Sequence, residues 1–221
     1  MPSPTLLLEL FYWPPVSWIA LAASNDTLWL EACEHYQKGS YRNRCHIAGP
    51  NSLQRLSVPL LKGKHQQTLV RDVRIATDQP WQRAHWRSIC TAYGNAPYFE
   101  HFAGEVAPFF EKPYTYLFDL NLDVVHFLLK KTGWTGEVHL TKSYAELGVG
   151  NQPTDASMHI ADLRGRISPN VSTPGELFAP LPYPQVFQER HGFLPDLSVL
   201  DLLFCAGKQG FRTASGPPSG K

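Results

Sequence analysis

The chain has 221 residues, of which 43% are hydrophobic and 18% are charged, and its formal net charge is +1. This composition predicts one folded domain with a sizeable core and excludes a disordered chain. The near-neutral charge argues against nucleic acid as a partner. No apolar run is long enough to predict a membrane span, and residues 6–8 lack the preceding basic segment of a signal peptide, so we expect a cytoplasmic protein.

The first third of the chain predicts short strands around one helix. Residues 5–12 are apolar almost throughout, which is typical of a strand buried on both faces. Trp13-Pro14-Pro15 ends this strand and begins a helix over residues 16–23. Four further strands follow, the middle two of which are joined as a hairpin by a Gly-Pro-Asn-Ser turn. They are predicted at residues 27–32, 45–48, 53–60 and 68–75.

The rest of the chain is predicted to be mainly helical. One helix is expected between a cap at Asp78 and a stop at Gly94. Further helices are predicted over residues 98–110, 117–131 and 197–204, with a strand over 138–142 and terminators at Gly133 and Gly207. We therefore predict an α/β fold in which the N-terminal strand–helix–strand and the hairpin form a mixed sheet. The single domain is expected to span residues 1–210, followed by a disordered tail over 211–221.

Charge is unevenly distributed in the first third of the chain. No acidic residue lies between Glu34 and Asp72, where an even spread would place about three. The same segment contains seven cations, which are Lys38, Arg42, Arg44, Arg55, Lys62, Lys64 and Arg71. We predict that Lys38, Arg42 and Arg44 converge on one anion, and that Asn43 hydrogen-bonds backbone or ligand. A solvated cationic face is the alternative. No Gly-rich loop follows the first strand, so side chains must hold any phosphate.

Several segments form a pattern through their order and spacing. They are Tyr12-Trp13-Pro14-Pro15, the run from His35 to Cys45, Gly49-Pro50-Asn51, Leu56-Ser57-Val58-Pro59, His85-Trp86-Arg87-Ser88-Ile89, Tyr93 with Ala96-Pro97-Tyr98-Phe99, and Asp201-Leu202-Leu203-Phe204. Together these segments resemble the WbqC-like family, over about residues 8–207. The resemblance implies a bacterial protein whose relatives are encoded in clusters for O-antigen and other surface polysaccharides. It implies a role in sugar-nucleotide or glycan modification, but it carries over no catalytic residue.

Three residues are candidates for catalysis. Cys45 follows two arginines, and a nearby cation lowers the pKa of a thiol and favours the nucleophilic thiolate. His85 and His35 are candidate bases, with His85 expected near Cys45 or the arginines. A small buried Cys45 and a core-edge His85 are the structural alternatives.

Four aromatic side chains complete the candidate site as stacking surfaces for a sugar or base; they are Trp13, Trp86, Tyr93 and Tyr98.

Three functions are compatible with these residues. The first is acyl or aminoacyl transfer to an amino sugar or a nucleotide-sugar-like anion. The second is a Cys45-dependent thioester acyltransferase or hydrolase, with a phosphopantetheine carrier protein as a partner. The third is a non-catalytic binding module for nucleotide sugars or glycans. The four cysteines are widely spaced, and neither a metal nor a cofactor is expected.

Overall fold

Parallel strands and helices dominate the computed structural model, which describes residues 5–61, 67–144, 160–170 and 177–214. The α/β class predicted from the sequence is confirmed. In chain order, the strands and helices of the described residues are β1 (Thr5–Glu9), α1 (Val16–Ala23), β2 (Thr27–Glu31), β3 (Arg44–Ala48), β4 (Leu53–Ser57), α2 (Trp81–Tyr93), α3 (Phe99–Val106), α4 (Leu117–Thr132), β5 (Glu137–Leu140), β6 (Ile160–Asp162), α5 (Gln188–His191) and α6 (Val199–Ala214).

The central sheet has the strand order β5-β2-β1-β6, and every neighbouring pair is parallel. β1 is buried along its whole length, as its apolar run predicts. Because the strands are parallel, their carboxyl ends meet at one edge of the sheet. Glu9, Glu31 and Asp162 are the last residues of β1, β2 and β6, and Thr141 follows β5. Polar side chains therefore gather at this edge, where parallel α/β sheets bind their ligands.

The predicted hairpin forms, but it does not join the central sheet. β3 and β4 are antiparallel and make a separate two-stranded sheet, with Cys45 opposite Leu56. The backbone N–H of Ser198, just before α6, donates to the carbonyl of His46 at 2.7 Å. The hairpin is thus held by contacts with α2 and α6, and the mixed sheet expected from the sequence is instead one parallel sheet and one hairpin.

The strand predicted over residues 68–75 is wrong. A 3₁₀ turn occupies Val70–Asp72, and residues on either side of it make only isolated strand-like pairs. Val70, Val73 and Ile75 are buried. The three-residue step from Val70 to Val73 matches a turn rather than the two-residue period of a strand.

The helices agree with the predicted positions but differ at some ends. α2 begins after Pro80 without a side-chain cap, so the predicted cap at Asp78 is wrong. α4 ends at Gly133, whose φ of 78° lies in the left-handed region, as expected for a glycine terminator. α6 is interrupted at Gly207 and then continues to Ala214, with Phe211 only 2% exposed. The packed chain thus extends past the predicted boundary at residue 210, and residues 215–221 lie outside the described part.

The helices and the sheet share one core. Its residues come from β1 and β2, from the hairpin and from α1, α2, α3, α4 and α6. Within the described ranges, no helix is both long and apolar enough to cross a membrane.

Gly207 and Gly104 offer a test of the backbone at the α6 interruption. Gly207 has a φ of 61° and a ψ of −156°, and an added Cβ would lie 2.9 Å from the Tyr98 ring. We expect Gly207→Ala to reduce the free energy of unfolding by about 1–3 kcal/mol, because this backbone region is restricted to glycine. Gly104, inside α3, has no atom within 4 Å of an added Cβ, so Gly104→Ala should stabilise by about 0.5–1 kcal/mol. Urea denaturation measures both, and equal effects of the two variants would contradict the assignment.

Candidate functional site

A buried arginine joins two carboxylates at the carboxyl edge of the sheet. Arg42 lies in a 3₁₀ turn, and its carbonyl accepts a hydrogen bond from the Asn121 side chain at 2.7 Å. Its Nε and Nη2 donate to the two oxygens of Glu34 at 2.7 and 2.5 Å, and Nη2 also donates to Glu9 Oε1 at 3.1 Å. The backbone N–H of Gly165 donates to the same Glu9 oxygen at 2.7 Å. Arg42 is only 2% exposed, so it ties β1 to the segment after β2 without contacting bulk solvent.

A second arginine continues this arrangement to the other strands. Arg164 Nη1 donates to Glu31 Oε2 at 2.5 Å, and its Nη2 donates to Asp162 Oδ2 at 2.8 Å. The other oxygen of Glu31 accepts from Thr141 Oγ1 and from the backbone N–H of Cys33, both at 2.7 Å. The ends of all four parallel strands are therefore connected. We call the set Glu9, Glu31, Glu34, Arg42, Asp162 and Arg164 the strand-end network.

Burial and pairing shift the pKa values of Glu9 and Arg42. Burial raises the pKa of the Glu9 carboxyl, and the charge of Arg42 offsets this only in part. Glu9 Oε2 has no hydrogen-bond partner among the described residues. For Arg42, burial lowers the pKa, but the hydrogen bonds and charges of Glu34 and Glu9 outweigh it, so the net shift is upward. The guanidinium therefore stays charged while Glu9 binds a proton more readily than an exposed glutamate.

An open cavity of about 470 Å³ lies against this network. We call it the strand-end pocket. Glu34 is buried, whereas His35 and Lys38 are exposed. Tyr36 experiences the positive charges of Arg44 and Arg42, although burial is the larger effect and raises the pKa of its hydroxyl. The pocket is lined by Cys33, Glu34, His35, Tyr36, Gln37, Lys38 and Tyr144.

Arg164 and Arg71 lie next to residues that line the strand-end pocket. The Arg164 guanidinium lies 4.5 Å from the centroid of the Tyr144 ring. The exposed Arg71 donates to the Thr141 carbonyl at 3.3 Å, and the Cys33 thiol donates to the same carbonyl at 3.4 Å. The pocket thus combines an exposed ammonium and imidazole with an aromatic ring, and its buried carboxylate is already bound to Arg42.

The three cations predicted to share one anion do not converge. Lys38 lines the strand-end pocket, but Arg42 is buried against two glutamates and has no place in a solvent-facing anion site. Arg44 begins β3 half-buried, and its Nε has no hydrogen-bond partner among the described residues. The prediction for Asn43 is confirmed, because its side chain donates to the Val58 carbonyl at 2.9 Å. Lys62 and Lys64 lie outside the described residues.

Cys45 and His85 are placed in the core and not in the pocket. Cys45 is fully buried on β3, and burial raises the pKa of its thiol, which opposes thiolate formation. His85 Nδ1 is 3.0 Å from the Tyr12 hydroxyl, and burial lowers the pKa of the imidazole to about 4. The structural alternatives stated for both residues are therefore the better description. Of the three catalytic candidates, His35 lines the pocket, and its role stays a prediction.

The four predicted stacking residues mostly belong to the core. Trp13 is fully buried and stacks on Phe110 with ring centroids 6.0 Å apart, and its φ of 40° places a non-glycine residue in the left-handed region. Tyr93 is also fully buried, and its hydroxyl accepts from the Ala48 N–H at 3.2 Å. Trp86 stacks on the same Phe110. Tyr98 is more exposed, but its ring packs against Gly207.

The sequence analysis missed Tyr144 and the strand-end glutamates. A signal for the glutamates was available, because Glu9 and Glu31 each end an apolar strand and parallel strands bring such ends together. No comparable signal marks Tyr144. No group of three or more His, Cys, Asp or Glu side chains in the described ranges could hold a metal ion.

The model of the WbqC-like protein family matches residues 11–164. The chain belongs to this family. The matched range contains the described residues that line the strand-end pocket. Uncharacterized protein Rv1507c of Mycobacterium tuberculosis is 28% identical over 190 residues, which are 79% of this chain and 81% of that protein. No solved structure matches the chain.

Removing the Arg42 side chain tests the strand-end network. Arg42→Met would leave Glu9 and Glu34 buried without their cation, so we expect a loss of about 3–5 kcal/mol in the free energy of unfolding. Lys112→Met is the matched control, because Lys112 pairs with Asp123 at the exposed surface and such pairs contribute about 0–1 kcal/mol. Guanidinium denaturation at pH 7 measures both. A loss in Arg42→Met no larger than in the control would contradict the buried pairing.

Native thiol labelling tests the placement of the cysteines. All four cysteines are free; Cys33 and Cys90 are partly exposed, whereas Cys45 and Cys205 are buried. Burial raises the pKa of Cys45, and it raises that of Cys205 to about 12. At pH 8 we expect a maleimide reagent to modify Cys33 and Cys90 in the folded protein and all four in denaturant. Mass spectrometry of the labelled peptides identifies the sites. Rapid labelling of Cys45 in the folded protein would contradict its burial and would make it a candidate nucleophile again.

Proposed function

We propose that this protein is a transferase of bacterial surface-glycan or related small-molecule biosynthesis. Its substrate is an anionic sugar, either a nucleotide sugar or another sugar phosphate, bound in the strand-end pocket. The observation that supports this most is the position of the pocket, at the carboxyl edge of a parallel sheet with Lys38 and His35 exposed in its lining. Its volume of about 470 Å³ lies within the range of small-molecule sites.

We place the phosphate of the sugar substrate at the side of the pocket formed by Lys38. Glu34 does not oppose this assignment, because both of its oxygens accept hydrogen bonds from Arg42. The Lys38 ammonium is a flexible point charge that suits a phosphate. The acid-free sequence from residue 35 to residue 71 leaves no carboxylate of that segment to compete for it.

The proposed reaction transfers an acyl or aminoacyl group to the amine of an amino sugar. The amine nitrogen attacks the carbonyl carbon of the donor, so that a C–N bond forms and the donor's C–S or C–O bond breaks. His35 accepts the proton released by the amine and returns it to the departing sulfur or oxygen. A donor carried on phosphopantetheine fits this scheme, because a thiol is then the leaving group.

A covalent thioester route would require a different cysteine from the one that the sequence suggested. Cys45 is enclosed in the core, whereas Cys33 lines the pocket. Cys33→Ala therefore distinguishes direct transfer, which it leaves in place, from a route in which the thiolate first receives the acyl group. We favour direct transfer, because the Cys33 thiol donates its hydrogen bond to the Thr141 carbonyl. Among the described residues, this thiol donates to no basic side chain that could remove its proton.

Ligand titration and kinetics test the proposal. We expect nucleotide sugars or sugar phosphates to bind, and Lys38→Ala to weaken them about 10- to 100-fold, because charge-assisted contacts contribute roughly 1.5–3 kcal/mol. Lys130→Ala, an exposed lysine at the end of α4, is the matched control and should bind like the parent. With a thioester donor, His35→Ala should lower kcat about 10²- to 10⁴-fold with little change in affinity.

Two results would overturn the proposal. If no sugar phosphate binds at millimolar concentration, the proposed substrate class is wrong. If Lys38→Ala and Lys130→Ala bind the sugar phosphate with equal affinity, the strand-end pocket is not its binding site.

A further inference from the structure

We infer that the strand-end pocket binds a nucleoside diphosphate group, with the base stacked on Tyr144 and the diphosphate bound by Lys38. This inference rests on the proposed function and narrows it. The proposed function requires only an anionic sugar, whereas the inference requires that a nucleotide carries that sugar.

Tyr144 has the geometry of a stacking platform. Its side chain lines the pocket and is 53% exposed, which is unusual for a large aromatic residue in a chain that buries most of its rings. The Arg164 guanidinium lies over the ring at 4.5 Å from its centroid. One face of the ring is thus covered by a planar cation, and the exposed part is left for a planar ligand. Stacking of a nucleic-acid base on such a ring contributes roughly 1–3 kcal/mol.

The guanidinium behind Tyr144 is held by two carboxylates. Arg164 is bound to Glu31 through Nη1 and to Asp162 through Nε and Nη2, and Glu31 is fully buried at the end of β2. Two strand ends therefore hold the guanidinium in place. A ring supported in this way loses little freedom when a base stacks on it, which favours binding.

The other side of the pocket suits a diphosphate. Lys38 and His35 are exposed in the lining. The guanidinium of Arg42 does not take part, because Glu9 and Glu34 bind it. Nucleotide-binding α/β proteins commonly hold the diphosphate with a Gly-rich loop after the first strand, but here Tyr12-Trp13-Pro14-Pro15 follows that strand. Side-chain cations must take the place of such a loop.

A monosaccharide phosphate would use only part of this arrangement. It would occupy Lys38 and leave the supported ring of Tyr144 without a planar partner. A nucleoside diphosphate uses both features at once, and its size suits a cavity of about 470 Å³.

Calorimetric titration with separated parts of the ligand tests the inference. The probes are inorganic pyrophosphate, glucose 1-phosphate and the diphosphates of uridine, thymidine, guanosine and adenosine. We expect at least one nucleoside diphosphate to bind tenfold or more tightly than pyrophosphate. Tyr144→Leu should lower the affinity for that nucleoside diphosphate to the affinity for pyrophosphate. Tyr144→Phe should keep the preference for the nucleoside diphosphate over pyrophosphate, because the ring remains. Tyr116→Leu, an exposed tyrosine outside the pocket lining, should bind like the parent.

The outcomes separate the inference from the proposed function. If no nucleoside diphosphate exceeds pyrophosphate tenfold, or if Tyr144→Leu keeps the preference, the inference is wrong. If glucose 1-phosphate nevertheless binds and depends on Lys38, the proposed function stands. If no phosphate-containing probe binds, both are wrong.

Discussion

The ion pairs of Arg42 are the constraint on which the candidate site depends. A guanidinium with 2% exposure has lost its hydration, so its charge must be matched by carboxylates held at hydrogen-bonding distance. Glu9 supplies one from the end of β1, and Glu34 supplies the other from the segment after β2. Since Glu34 also lines the strand-end pocket, the same contact that stabilises the edge of the sheet fixes one wall of the cavity.

The arginines of the strand-end network and the lysine of the strand-end pocket differ in chemistry and in position. Arginine presents a planar fork that can bind two carboxylates at once, and Arg42 and Arg164 each do so, with side-chain exposures of 2% and 9%. Lysine presents a hydrated point charge on a flexible stem, and Lys38 is exposed in the pocket. The two arginines therefore bind the glutamates at the strand ends. Under the proposed function, the exposed lysine binds an anion from solution.

Local patterns in the sequence predict much of the fold, whereas the site depends on contacts between distant segments. The range of α1 and the terminator of α4 at Gly133 follow from helix signals within a few residues. The acid-free run around Arg42 marks cations that are close in sequence, but these cations do not converge in the fold. It does not reveal that Glu9, 33 positions earlier, becomes a partner of Arg42, because that contact exists only once β1 and β2 are paired in the parallel sheet.

The positions of the aromatic residues in the fold could not be predicted from the sequence either. Trp13, Trp86 and Tyr93 lie in segments rich in rings, and such density is equally compatible with a core and with a binding surface. The structure uses these rings mainly to pack against other rings. Tyr144 stands apart from such clusters, and its neighbour is the guanidinium of Arg164, 20 positions later in the chain and held by Glu31 and Asp162. Exposure and a fixed charge behind the ring therefore distinguish Tyr144 from the core rings better than the number of aromatic residues near it in sequence.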